Sequence, residues 1–149
     1  MTDEPTHDTI QTAGKQAEYR RELLHATILD LQEALGPDDQ PTRHSDLVAA
    51  IDRAAQTVAD HVRDAEAPDG LLTEVIRVEP AYGARVEDMR REHQTMLAQA
   101  DALRDGPSDR PLEDLASAAR GLIDLLDRHR HRSTELILDT YSLDLSAGD

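Results

Sequence analysis

"LLDRHRHRSTELILDTY", residues 125–141, sets His129 and His131 on either side of Arg130 near the end of an apolar run with helical spacing. If the stretch is a helix, only one of the two histidines faces a core. At about 100° per residue, Leu122, Leu125, Leu126 and Leu136 all project within about 60° of His129. His131 lies about 200° away on the same projection, among Asp127, Arg128 and Glu135. The spacing therefore predicts a buried His129 and a solvated His131.

The rest of the chain fits one soluble domain. Its 149 residues suffice for a single core. Asp plus Glu number 31 against 16 Lys plus Arg, a net charge of −15, and such a surface repels nucleic acid phosphates and anionic lipid alike. The only lysine is Lys15, and there is no Phe, Trp or Cys, so disulfides, thiolate metal sites and thiol nucleophiles are excluded. The opening "MTDEPTHDTI" is polar and acidic, and no run approaches the ~18 apolar residues of a membrane span. A cytoplasmic protein is expected, with residues 1–149 as one domain and flexible ends at 1–9 and 144–149.

Four segments carry helical periodicity, separated by "GPDDQPT" at 36–42, "APDG" at 67–70 and "DGPSDRP" at 105–111. The first stripe contains Ala17, Leu24, Ile28, Leu31 and Leu35, with Arg21 on the same side. The second reads Leu47, Ile51, Ala54, Val58, His61, and the third Tyr82, Val86, Met89, His93, Met96, Ala100, Leu103. Residues 71–80 read as a short helical or irregular crossover. Short loops make neighbouring helices antiparallel, so the expected fold is all-α, an antiparallel up-down four-helix bundle.

His61, His93 and His129 thus each occupy a core seam on a different helix. One buried histidine is readily explained by a hydrogen bond. Three converging in a bundle interior offer what a divalent cation needs, because the neutral imidazole is the commonest metal ligand among side chains. Other chemistry is weakly represented. "ELLH" at 22–25 lacks the second copy that a ferritin-like carboxylate site needs, Ser133 near His129 has no orienting third group, and there is no Gly-rich phosphate loop.

On "DHVRDAE" around His61, "RREHQTML" with Glu92-His93, and "DRHRHRSTE" around His129, the chain resembles the hemerythrin-like (HHE cation-binding) family over nearly its whole length. The resemblance implies a four-helix bundle with a non-haem di-iron centre. It also exposes departures: Arg21 stands at the family's helix 1 histidine, and Ala65 and Ser133 stand where bridging carboxylates are expected. Without anionic bridges two adjacent irons repel each other, so one ion, iron or another divalent metal, is expected rather than two. His25 and Glu66 are the candidate supplementary ligands. His25 lies one turn from Arg21, and Glu66 precedes Pro68, where the helix must end and its carboxylate can swing inward.

Three functions remain open on this reading. One is a metal-binding protein for metal handling or for binding or sensing a small diatomic ligand. Another is a metal-free bundle serving as a scaffold or partner-binding module, with Arg21 and acids such as Glu66 or Glu92 replacing the ion by a buried ion pair. The last is an enzyme processing oxygen or nitric oxide at a redox metal with an open position.

Overall fold

The computed structural model describes residues 7–37, 43–107 and 109–147. Among them the chain is helical throughout, with no strand. Helix α1 spans His7–Leu35, α2 His44–Ala65, α3 Leu71–Val78, α4 Gly83–Asp105 and α5 Leu112–Ala147, with a 3-10 turn at Pro80–Tyr82 leading into α4. The boundaries follow local chemistry. Gly36 ends α1 at a φ of 70°, where its N–H reaches back to the carbonyls of Gln32 and Glu33. Glu66 closes α2 two residues before Pro68. Glu79 accepts a hydrogen bond from the Ala81 N–H at 3.0 Å and starts the 3-10 turn at Pro80. The crossover expected at 71–80 is the short helix α3. Of the ends expected to be flexible, 1–6 and 148–149 lie outside the described residues, while the backbone of 7–9 and 144–147 is helical.

Helix α1 packs on α2 and α5, and α4 packs on the same two helices, so the four long helices enclose one interior. The short α3 lies against α1, α4 and α5 near one end. No helix among the described residues is long and apolar enough to cross a membrane.

The interior is divided along its length. A larger apolar cluster runs from Leu24 to Leu35 on α1, Leu47 to Val62 on α2, Met96 to Leu103 on α4 and Leu115 to Leu126 on α5. A smaller one gathers Ala13 and Ala17, Leu71, Leu72 and Val75, Val86 and Met89, and Leu136 and Ile137 around α3. Gly14 belongs to this second region, since a methyl group there would overlap the Tyr141 hydroxyl. Each apolar cluster excludes water from its own end. Between them, on α1, α2, α4 and α5, lie Arg20, His61, His93, His129 and Ser133, all buried. The fold therefore holds a buried polar layer between two apolar clusters.

Candidate metal centre

His61, His93 and His129 are 6%, 2% and 1% exposed, as their seam positions require. Their rings meet with centroids 5.4, 5.1 and 4.8 Å apart, and one nitrogen from each lies within 4.8 Å of the others. His131, two residues from His129, is exposed and its Nδ1–H donates to the Asp127 carbonyl at 2.8 Å. The helical projection of residues 125–141 thus sorts the two histidines correctly.

Carboxylates set the orientation of two of the rings. His129 Nδ1–H donates to Glu92 Oε1 at 2.7 Å, and Arg132 holds the other carboxylate oxygen of Glu92. His93 Nδ1–H donates to Glu66 Oε2 at 3.3 Å, with Arg90 Nε 3.8 Å from Oε1 of the same carboxylate. Each bond places the proton on Nδ1 and leaves Nε2 unprotonated, an arrangement common behind metal-bound imidazoles. His61 Nε2–H donates to His129 Nε2 at 3.1 Å, while its own Nδ1 is buried without a partner. Moving that proton to Nδ1 would free the third lone pair.

Burial keeps the His61 and His93 rings neutral. It pushes the His61 imidazole down to about 2, helped by His129, His93 and the Arg20 charge. It pushes His93 down to about 3, with His129 adding to the effect and Glu92 opposing it. Burial alone would raise the Glu92 carboxyl, but the His129 hydrogen bond and the charges around it bring the group below its usual range. Burial also raises Glu66, with Arg90 opposing.

A stability profile follows from the two depressed histidines. In the unfolded chain both titrate near 6.5, whereas the folded metal-free protein resists protonating them until about 3 and below. As pH falls below 6.5 the unfolded state takes up protons that the native state refuses, so stability drops, by at most about 1.4 kcal/mol per pH unit for each histidine. Urea unfolding of metal-free protein between pH 7 and 5 should reveal this dependence, and His93→Gln should make it shallower by about half. Equal slopes for the two proteins would contradict the assignment.

The rings line a small cavity of about 20 Å³ together with Ala17, Arg20, Ala65 and Ser133. That is space for one small particle, since a single water needs about 10–15 Å³ on this measure. The donor set suits a cation. Two imidazoles bonded to one metal at about 2.1 Å have nitrogens roughly 3.0–3.4 Å apart, and the His61–His129 separation is 3.1 Å.

The family model for the hemerythrin HHE cation binding domain matches residues 18–141, which include all three histidines and both carboxylates behind them. The chain belongs to this family. No curated protein and no solved structure gives a significant match.

Within this hemerythrin-family chain three expectations need correction. The arginine in the polar layer is Arg20, 7% exposed, and not Arg21. Arg21 is only half-buried and donates to the Thr134 hydroxyl across the α1–α5 seam. His25 is exposed on the outside of α1, where its Nδ1 accepts from Arg130, so it does not join the cluster. Glu66 does swing inward past the end of α2, but its oxygen bonds the back of His93 rather than standing among the three ring nitrogens. Ala65 and Ser133 do line the cavity, as their register implies. Sequence reading missed the roles of Arg20 and Arg132. Arg132, three residues after His129 on α5, offered a signal for the second, since it is one turn from the ring it supports.

Proposed function

We propose that this protein is a hemerythrin-like metal-binding protein. It would hold a single divalent ion, iron or a similar cation, on His61, His93 and His129 inside an antiparallel up-down four-helix bundle. The observation that carries the reading is the set of three buried imidazoles with ring nitrogens within 4.8 Å, two of them held from behind by carboxylates. A bound ion would supply a Lewis-acidic centre with coordination positions left for a small ligand such as a diatomic gas, which suits metal handling or sensing. The protein's own groups define the rest. Glu92 and Glu66 fix two tautomers, Arg132 anchors Glu92, and burial keeps His61 and His93 uncharged at neutral pH.

Arg20 supports one ion over two. Its guanidinium is buried beside His61 and His93, its Nε has no hydrogen-bond partner, and a permanent cation there opposes a second metal. The same observation favours the second reading, a metal-free bundle whose polar layer is closed by the His61–His129 bond. Metal titration separates the two. Chelator-treated protein given ferrous or zinc ion should take up about one ion per chain. At a free concentration of about 100 times the dissociation constant its stability should rise by about 2.7 kcal/mol. No uptake and an unchanged melting temperature would leave only the metal-free reading.

A further inference from the structure

A cavity of about 520 Å³ lies outside the polar layer, in the groove between α4 and α5. That falls within the roughly 300–1,000 Å³ of small-molecule sites. Its charge is unlike that of the rest of the chain. Arg85, Arg91, Arg128 and Arg132 line it, four of the 16 basic residues in a protein of net charge −15. Asp88, Glu92 and Glu135 also line it, so the groove carries a small positive excess. The floor is apolar, made by Met89, Leu125 and Leu136.

We propose that this groove binds a small organic anion, one with an apolar or aromatic body and a carboxylate or phosphate head. The body would cover Met89, Leu125 and Leu136, and the head would meet the guanidinium groups above them. Donors are available. Arg128 is exposed and forms no ion pair among the described residues. Arg132 gives one N–H to Glu92, and a guanidinium has five. Arg85 is paired with Asp139 at 3.0 Å, both side chains being well exposed, and such surface pairs exchange at little cost. Forked guanidinium groups match the planar or tetrahedral oxygens of carboxylate and phosphate. The acidic surface elsewhere does not prevent binding, because at physiological salt its field is screened within about 8 Å. The groove needs no metal, so this proposal stands or falls apart from the reading of the histidine cluster.

Phenyl phosphate is a suitable probe, titrated calorimetrically into chelator-treated protein at physiological salt. Saturable binding at one site per chain is expected, weakened by added sodium chloride and about tenfold weaker in the Arg85→Gln/Arg128→Gln double variant. Neither arginine touches the histidine cluster, and Arg120→Gln, elsewhere on α5, should bind like the parent. Inorganic phosphate and benzyl alcohol, which carry the head and the body separately, should each bind at least about tenfold more weakly. Absence of saturation would overturn the proposal, as would equal affinity in the double variant or equal affinity for inorganic phosphate. Co-sedimentation with phosphatidylserine vesicles without binding of phenyl phosphate would overturn it in favour of a membrane surface.

Discussion

Replacing His129 by alanine should lower metal affinity by more than about 100-fold and destabilise the metal-free protein by roughly 3–5 kcal/mol, while His131→Ala changes neither. His129 is 1% exposed and is the hub of the polar layer. Its Nδ1–H is held by Glu92, and its Nε2 accepts from His61. Alanine at 129 leaves the buried His61 Nε2–H without its acceptor, at about 1–3 kcal/mol, takes one of two partners from Glu92, and opens a void beside them. It also removes one of only three ligand nitrogens in the cluster. His131 has its side chain in solvent and one local bond to its own helix, so its loss touches neither effect.

A graded series sharpens this prediction. Glu92→Gln keeps the three nitrogens but exchanges a charged acceptor behind His129 for a neutral one, and losses of that kind cost about 10–100-fold in metal affinity. Calorimetric metal titration and urea unfolding of all three variants are the measurements. If His129→Ala and His131→Ala behave alike, the cluster is not the metal site.

The histidines were legible in the sequence for a simple reason. Each sits on a stripe of Leu, Ile, Val or Met at helical spacing, and burial of that stripe carries the histidine inward with it. The arginines were not legible. On the projection of α1, Arg20 and Arg21 lie about 50° to either side of the stripe formed by Ala17, Leu24, Ile28, Leu31 and Leu35. Periodicity alone cannot choose between them. Tertiary packing decides, and it also buries Thr27, which stands two turns after Arg20 on the same side. His25 projects roughly 90° from that stripe, far enough to be solvated once the seam closes.

The carboxylates behind the rings were harder still to read. Glu92 is 37 residues from His129 and Glu66 is 27 from His93. Both contacts depend on the relative heights of helices on either side of a loop. Spacing indicated that Glu66 could turn inward but not which atom it would meet. The apolar ends of the interior were legible as stripes; the division into two clusters was not, because it depends on where α3 closes one end.

Correcting the arginine changes the test of why this site should hold one ion. Arg20, Ala65 and Ser133 all line the small cavity with the three histidines. The combined change Arg20→His, Ala65→Glu and Ser133→Glu removes one cation and adds two anions, a swing of three charge units toward accommodating two metal ions. Metal content in the folded variant should rise from about one ion per chain toward two, read by elemental analysis after removal of excess metal. Without metal the variant should be less stable than the parent by several kcal/mol. Two carboxylates would then face a water-poor interior without partners, in a cavity of about 20 Å³ that cannot take them without displacing neighbours. Metal should restore much of that loss, so the gap in melting temperature between metal-loaded and metal-free forms should widen relative to the parent. The same triple change made with Arg21→His leaves the buried guanidinium in place and should remain near one ion. A folded Arg20 variant that stays at one ion would show that something other than charge at these three positions sets the stoichiometry.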